Sequence, residues 1–479
     1  MQRSSLLTLI LIAIATSVAA QGYTPKIEYG PCMIKIDSGV VAKCGYLIVP
    51  ENRQGPRGRT IKLPFVFIRR DTQDAHKNIA LLCTGGPGYS TTRQVTQVKY
   101  RSDYLSYGGF IFLDQRGTKN TVPCLTCEEV QPAIQRAYRE RLSVDSMRLL
   151  ALRACRKRLA GQGIDLSAYN TIESAEDIND LRKALTLDSL YLVGISYSGG
   201  LMLTVARNHP EAVKALLLNS PLPGFVNYEE HALFNMNEAL EQVFSHCEKD
   251  SAQAVYKNLR NRFHQYFTDI TGKTFTMHYL VKKTNEDILV DYTKQQLMDA
   301  VIDRLNERQV KEVPFVMLEL INGHHEAYVK ESLDNVFSDN TQLAYGMRLS
   351  VYCSEQIAYS SEDLVRRQYE VLPWFAGYAF NNVNHAICKC WEVQPEPASA
   401  KTPVYSNVPA LISAGDIDPW CPSFYNVLIK RTMPNSQLLL IHDRGHGPGF
   451  GVKGASFLDL FMADPYKKLV SPVGEVIVQ

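Results

Sequence analysis

Short apolar runs alternate with helix-like stretches over the first half of the chain. Each run is bounded by glycine, proline or charged residues, as expected for buried strands. Between two of them, Ser174 to Leu185 repeats apolar residues at helical spacing, with Ser174 as the expected N-cap. Leu201 to Asn208 shows a second helical pattern. The predicted strands are Ile61 to Ile68, Ile79 to Cys83, Phe110 to Asp114, Ser189 to Val193 and Val213 to Leu218.

The alternation stops at about Gly224, and the pattern is mainly helical from there to Ala398. Strand–helix alternation predicts a mostly parallel sheet with helices on both faces. We therefore expect an α/β core of residues 21–223 and 399–479, interrupted by a largely helical cap at residues 224–398. The predicted cap helices include Glu229 to Phe244, Ala252 to Phe267 and Gln295 to Leu305, and the later core strands are Pro409 to Ala414 and Gln437 to Ile441.

The first 20 residues have the pattern of a secretory signal peptide. A positive start at Met1-Gln2-Arg3 precedes the apolar run Leu6 to Ala15, and small residues end at Ala20. The run is shorter than the roughly 20 residues that cross a bilayer, so we expect cleavage after Ala20 rather than a membrane anchor. The prediction is a secreted or periplasmic protein without stable membrane insertion.

The charge balance bears on possible binding partners, and the cysteine content bears on possible disulfides. Lys plus Arg number 51 and Asp plus Glu 49, so the chain offers no electrostatic reason to bind nucleic acid. The 11 cysteines are compatible with disulfides after export. Cys32 and Cys44 are close enough in sequence to bridge, and Cys83 is expected to be a buried thiol. The remaining candidates for pairing are Cys124, Cys127, Cys155, Cys353, Cys388 and Cys390, and the Cys124-x-x-Cys127 spacing has no matching second pair that would favour zinc.

The candidate chemistry centres on Gly194-Ile195-Ser196-Tyr197-Ser198, which follows a predicted strand and precedes a predicted helix. This is the arrangement of a nucleophile elbow, in which a serine on a tight turn projects its hydroxyl above the sheet. Ser198 stands where the strict motif has its second glycine, and Gly199 follows it. Small residues at these positions let the strand and helix approach closely.

Three further motifs complete the pattern. The glycine-rich loop Gly85 to Gly88 follows a strand, where an oxyanion hole takes its second N–H. Asp418 follows a later strand and His446 a still later one, giving the order Ser, Asp, His of α/β-hydrolases. Asp416 and His442 are the alternatives for the acid and the base. His324-His325-Glu326 does not place both histidines on one helical face, so we interpret it as a polar loop rather than a metal site.

Together these motifs resemble the proline iminopeptidase and tripeptidyl aminopeptidase branch of the α/β-hydrolases, most closely its secreted tripeptidyl members. The combination of the glycine-rich loop with Asp114-Gln115-Arg116-Gly117 is more specific than the serine elbow alone. The resemblance extends to Cys44 to Pro50, Val351 to Glu355 and Cys390-Trp391, and so covers most of the chain after residue 20.

The resemblance implies a serine exopeptidase that acts on peptides with a free N-terminus. Ser196 is the expected nucleophile, His446 the general base and Asp418 the residue that orients it. The N–H groups of Tyr197 and Gly86 are expected to form the oxyanion hole, Gly86 by the resemblance. No metal or organic cofactor is required.

An aminopeptidase must also bind the substrate ammonium, and a carboxylate in the cap is the natural partner. Glu355 is the first candidate, with Glu229 and Glu230 as rivals. The same triad would also serve an esterase or lactonase. A binding module without catalytic activity is the alternative from another class.

Overall fold

The computed structural model describes residues 23–55, 58–249, 254–338, 342–381, 383–472 and 474–479, so the predicted signal peptide lies outside the described residues. One ten-stranded sheet forms the centre, in the order β1-β2-β3-β5-β4-β6-β7-β10-β11-β12. Its strands are β1 Lys26–Tyr29, β2 Val40–Pro50, β3 Thr60–Arg70, β4 Ala80–Cys83, β5 Phe110–Leu113, β6 Leu190–Ser196, β7 Val213–Pro221, β10 Ala410–Gly415, β11 Ser436–Ile441 and β12 Val476–Val478.

The six strands from β5 to β11 in this order pair in parallel. Antiparallel strands flank them, with β1, β2 and β3 on one side and β12 on the other. Helices pack on both faces, which confirms the predicted α/β architecture. Each strand predicted from an apolar run lies where it was expected, with its ends shifted by at most a few residues.

The described residues form fourteen α-helices. They are α1 Val130–Glu140, α2 Val144–Gly161, α3 Thr171–Ala184, α4 Tyr197–Asn208, α5 Ala232–Lys249, α6 Leu259–Asp269, α7 Lys294–Ile302, α8 Val313–Ile321, α9 Glu326–Phe337, α10 Tyr345–Glu355, α11 Glu362–Val371, α12 His385–Trp391, α13 Ser423–Thr432 and α14 Phe457–Ala463. The predicted N-cap at Ser174 is wrong. Helix α3 begins one turn earlier, because the Asn170 side chain accepts the N–H of Glu173 at 2.8 Å.

The cap differs from its prediction by a hairpin, β8 Thr274–Val281 and β9 Glu286–Thr293. Phe275, Met277 and Tyr279 alternate with polar residues there, which is a strand period rather than a helical one. Helices α5 to α9 and the hairpin share one apolar core. A second core joins α10 and α12 of the cap to α2, so the excursion after β5 also packs against the cap.

Disulfides link Cys32 to Cys44, Cys127 to Cys155 and Cys353 to Cys388. Cys83 is a buried thiol, as predicted. Within the described ranges, the search for a helix both long and apolar enough to cross a membrane finds none.

Candidate active site

Ser196 lies at the turn between β6 and α4, in a backbone conformation that serine rarely adopts, with φ 57° and ψ −128°. Three glycines make this turn possible. A side chain at Gly194 would approach Ser198 O to 2.7 Å, and one at Gly199 would approach the Pro221 side chain to 2.4 Å. Gly85 is equally constrained, since its Cβ would lie 2.7 Å from the carbonyl oxygen of Ile195. The strained serine conformation is the one expected of a nucleophile elbow.

Ser198, which departs from the strict motif, stabilises the elbow. Its hydroxyl accepts the Ile195 N–H at 2.9 Å and donates to the Ile195 carbonyl at 2.9 Å. Both polar groups of the residue before the nucleophile are therefore bonded within the turn. A serine at this position is small enough for the close strand–helix contact and adds two hydrogen bonds to it.

The predicted oxyanion loop, Gly85 to Gly88, lies beside the elbow. Gln115 donates to the carbonyl oxygen of Thr84 at 2.7 Å, directly before the loop. Asp114 accepts three hydrogen bonds from Ser90 and Thr92, directly after it. Asp114 and Gln115 therefore hold the residues on both sides of the loop in place, and neither lines the cavity that contains Ser196.

Asp418 and His446 form an acid–base pair. His446 Nδ1 lies 2.8 Å from Asp418 Oδ2, and Asp418 is almost completely buried. The other carboxylate oxygen accepts the N–H groups of Trp420 and Cys421 at 3.0 and 2.9 Å. These bonds hold the carboxylate toward the imidazole, so its orientation is fixed before any substrate arrives.

Ser196 and His446 line the same cavity, of about 560 Å³, together with Gly86. Among the described residues the structure shows no hydrogen bond between Ser196 Oγ and His446, and Cys421 Sγ lies 4.0 Å from Ser196 Oγ. A loose serine–histidine contact is common before substrate binds. A further cavity of about 640 Å³ adjoins this one and shares Tyr89, Leu343 and Tyr345 with it.

The alternative acid and base pair with each other. His442 Nδ1 lies 3.0 Å from Asp416 Oδ2, and neither residue lines the cavity that contains Ser196. His325 differs from the predicted polar loop, because it is buried at the start of α9 and contacts the hydroxyls of Tyr266 and Tyr292.

None of the three glutamates predicted to bind an ammonium lines the cavity. Glu355 accepts the N–H of Thr171 at 2.8 Å and its hydroxyl at 2.8 Å, and Glu230 accepts the N–H of Ser361 at 2.7 Å. Glu229 accepts a hydrogen bond from Asn381, which does line the cavity, at 2.9 Å. The structure therefore differs from this expectation, because the carboxylates of Glu355 and Glu230 hold backbone groups together.

Two other carboxylates, Asp299 and Asp303, face the cavity. They lie four residues apart at the end of α7 and are called here the carboxylate pair. Burial in the cleft, together with the charge of Asp303, raises the pKa of Asp299 to about 7. Burial also raises the pKa of Asp303 to about 6, although its side chain is open to the cavity. The sequence signal was two aspartates four apart on a predicted helix, which share one face.

No salt bridge engages either member of the carboxylate pair among the described residues. Asp299 accepts the amide of Gln295 at 3.1 and 3.2 Å. Arg148 lines the same cavity and lowers the pKa of Asp299 slightly, but its ion pair is with Asp145. The cavity that Ser196 lines therefore contains two acidic groups whose charge is not neutralised by an ion pair.

The triad region also has the donor types that zinc takes. Ligand atoms of Asp418, Cys421 and His446 lie within 4.8 Å of one another. Asp418 and His446 already share a hydrogen bond, and burial raises the pKa of the Cys421 thiol. Coordination by all three would require breaking that hydrogen bond and ionising the thiol.

Comparison with known proteins agrees with this architecture. The model of the alpha/beta hydrolase fold family matches residues 113–450, which include the elbow, the cap and both later motifs. The chain belongs to the α/β-hydrolase fold family.

Serine protease Hip1 of Mycobacterium tuberculosis and of Mycobacterium bovis is 26% identical to this chain over 211 residues. The match covers 40% of this chain and 39% of each relative, so it spans about two fifths of the curated relatives' length. Among solved structures, naproxen esterase from Bacillus subtilis is similar with a TM-score of 0.33 and 13% identity, covering 89% of this chain and 88% of its own. MGS-M2, an alpha/beta hydrolase from a deep-sea metagenome library, has a TM-score of 0.37 and 12% identity, covering 86% and 98%.

Proposed function

We propose that the chain is an extracytoplasmic serine aminopeptidase, which releases one residue or a short peptide from a free N-terminus. The carboxylate pair carries this proposal, because Asp299 and Asp303 line the same cavity as Ser196 and His446. Two neighbouring carboxylates without an ion-pair partner, of which Asp299 is half-buried, favour a bound cation, and a substrate ammonium supplies one. Neither an ester nor a lactone needs such a pair.

In the proposed reaction, Ser196 Oγ attacks the scissile carbonyl carbon while His446 takes its proton. Asp418 holds the imidazole in the required tautomer and stabilises the imidazolium. The N–H groups of Gly86 and Tyr197 stabilise the oxyanion, and His446 then gives its proton to the leaving amine. Water, deprotonated by His446, hydrolyses the acyl-enzyme and restores Ser196.

The pair of cavities supports a peptide substrate. The ammonium would bind at the carboxylate pair, and the adjoining cavity of about 640 Å³ leaves space for the part of the chain that departs. The similarity to serine protease Hip1 also favours a peptide over an ester as the substrate. The three disulfides, together with the predicted signal peptide, support a location outside the cytoplasm.

A matched substrate panel tests the proposal. Peptide amides with free and with N-acetylated termini would be compared with aliphatic esters, in the wild type and in Asp299→Asn and Asp303→Asn. A charge-assisted hydrogen bond contributes about 1.5–3 kcal/mol, so each variant should raise KM for free-amine substrates roughly ten- to a hundredfold. Asp287→Asn, on the exposed hairpin, is the control.

The result that would overturn the aminopeptidase is equal turnover of free and blocked peptides, or turnover of esters alone. Labelling by a fluorophosphonate that is lost in Ser196→Ala would distinguish an aminopeptidase or an esterase from a binding module without catalytic activity. A folded wild-type protein that is not labelled would favour the binding module.

A further inference from the structure

A third cavity, of about 370 Å³ and mostly apolar, lies against the sheet on the face that α14 covers. We call it the rear cavity, and its walls include Ala80 and Leu82 of β4, Val193 of β6, and Phe450 and Met462. Its volume is within the range of roughly 300–1,000 Å³ that is usual for small-molecule sites.

The rear cavity leaves central strands partly uncovered. Ala80, Leu82 and Val193 keep solvent-accessible surface, whereas Leu81 and Leu192, which point to the other face, have none. Parallel strands of an α/β fold are normally covered on both faces. An apolar cavity is a poor site for water, so apolar surface at this central position favours an apolar occupant.

A positive charge lies next to the rear cavity. A neighbouring cavity of about 500 Å³ contains Lys214 and shares Asn78, Tyr107, Tyr191 and Met462 with the rear cavity. Lys214 Nζ donates to Asn78 Oδ1 at 2.7 Å and lies 4.9 Å from the centre of the Tyr191 ring. Both partners are uncharged, and no salt bridge to Lys214 is present in the part of the chain that the structure describes.

Two acidic groups also lie near the rear cavity. Asp103 lines the rear cavity beside Tyr104, and Asp459 accepts the hydroxyl of Tyr107. An anionic group would therefore be repelled there and attracted at Lys214. Apolar walls with one cationic end are complementary to an alkyl chain with one anionic end.

We propose that the rear cavity binds a fatty acid, with its alkyl chain against β4 and β6 and its carboxylate at Lys214. The occupant is a single free chain rather than a bilayer lipid, because the apolar part of the site is a cavity within the fold and not a surface patch. This site lies outside the catalytic cavity, and its occupancy does not depend on the proposed peptidase activity.

Calorimetric titration of the wild-type protein with dodecanoate, below its micelle concentration, tests the proposal, with dodecyltrimethylammonium as the cation of equal chain length. We expect saturable binding of one dodecanoate per chain and at least about tenfold weaker binding of the cation. Lys214→Glu should reverse this preference, and Met462→Trp, which fills the junction of the two cavities, should weaken both ligands. Lys273→Glu, an exposed lysine of the cap, is the matched control and should change neither.

Absence of saturable dodecanoate binding would overturn the proposal, as would equal binding by Lys214→Glu and the wild type. Binding to phosphatidylglycerol vesicles without binding of dodecanoate would assign the surface to a membrane instead and would also overturn it. Lys214 is exposed, so its variant should fold even where Met462→Trp does not, and near-ultraviolet circular dichroism checks both.

Discussion

The guanidinium of Arg348 donates a hydrogen bond to the carbonyl oxygen of Gly86 at 2.9 Å, and this bond connects cap helix α10 to the oxyanion loop. The N–H of Ala344 donates to the carbonyl oxygen of Gly88 at 3.0 Å, and Tyr89 pairs with Leu343 as an isolated β-bridge. The cap therefore contacts the loop on both sides of its Gly-Pro step. The position of the cap and the geometry of the proposed oxyanion hole are therefore structurally coupled.

Replacing Arg348 should consequently impair the chemical step. In Arg348→Met the Gly86 carbonyl loses its side-chain donor, and a shifted Gly86 N–H would stabilise the oxyanion less well. We expect kcat to fall roughly ten- to a hundredfold, as small displacements of catalytic groups do. Steady-state kinetics on a free-amine peptide amide would measure kcat and KM separately.

Arg366→Met, on exposed cap helix α11, is the matched control and should leave both constants unchanged. A rise in KM with unchanged kcat in Arg348→Met would contradict the positioning role. It would instead indicate that Arg348 binds the substrate directly.

The core could be predicted from the sequence because buried parallel strands are continuous apolar runs. The antiparallel strands β1 and β2 lack this signal, since Val40–Pro50 contains a lysine and a glycine and pairs only with antiparallel neighbours. Three-residue β12 is too short to give a pattern. In the cap, the strand-like alternation of β8 was missed because helical patterns precede and follow it.

The candidate site, like the fold, could be predicted only in part from the sequence. The triad residues follow strand ends in a fixed order, so local motifs were sufficient to nominate them. The proposed ammonium site depends on tertiary packing, because Asp299 and Ser196 are distant in sequence and line one cavity only in the folded chain. Glu355 belonged to the recognisable segment, but its carboxylate points to Thr171 instead.

The buried Arg116 should be essential for stability. It is fully buried, and its Nε and Nη2 both donate to the Asp177 carboxylate at 2.8 Å. Its Nη1 donates to the backbone carbonyls of Glu51 and Ala168. Arg116→Met leaves a buried carboxylate with one fewer partner and should lower the free energy of unfolding by about 3–5 kcal/mol.

Urea-induced unfolding would measure this loss. Arg116→Lys should recover little of it, because an ammonium cannot donate in the planar two-pronged geometry. Arg136→Met removes an exposed partner of Glu140 and should leave the free energy of unfolding almost unchanged. Equal losses in the Arg116 and Arg136 variants would contradict the role of the buried ion pair.

The buried thiols should resist alkylation in the folded protein. Burial raises the pKa of both Cys83 and Cys421, so neither forms the reactive thiolate readily. Cys124 and Cys390 are partly exposed. Iodoacetamide should therefore modify Cys124 and Cys390 first, and Cys83 and Cys421 only after unfolding in urea, as read by peptide mass spectrometry.

Activity provides the second readout, because Cys421 Sγ lies 4.0 Å from Ser196 Oγ. Native alkylation should leave fluorophosphonate labelling of Ser196 intact. Rapid modification of Cys421 in the folded protein, with loss of that labelling, would show that the thiol is accessible from the cavity.

The carboxylate pair should make both substrate binding and stability depend on pH. The ammonium binds the ionised carboxylates, so the preference for free over N-acetylated peptides should fall as pH drops through about 7 to 6. The blocked peptide is the internal control, because any effect of pH on the chemical step acts on both substrates. A free-to-blocked ratio of kcat/KM that stays constant over this range would contradict the assignment.

The raised pKa of Asp299 makes folding stability depend on pH in the opposite direction to substrate binding. The folded pKa of Asp299, about 7, exceeds the value of about 3.9 for an unfolded aspartate, so the folded state holds its proton more tightly. Stability should therefore fall as pH rises from about 4 to 7 and be independent of this group above that range. Asp299→Asn removes the cost of a desolvated charge and should raise Tm at pH values above 7, while weakening free-amine substrates. The gain in Tm should disappear near pH 4, where both proteins are uncharged at this position. Thermal unfolding of the wild type and the variant across this pH range would show whether the Asp299 charge is held at the expense of stability.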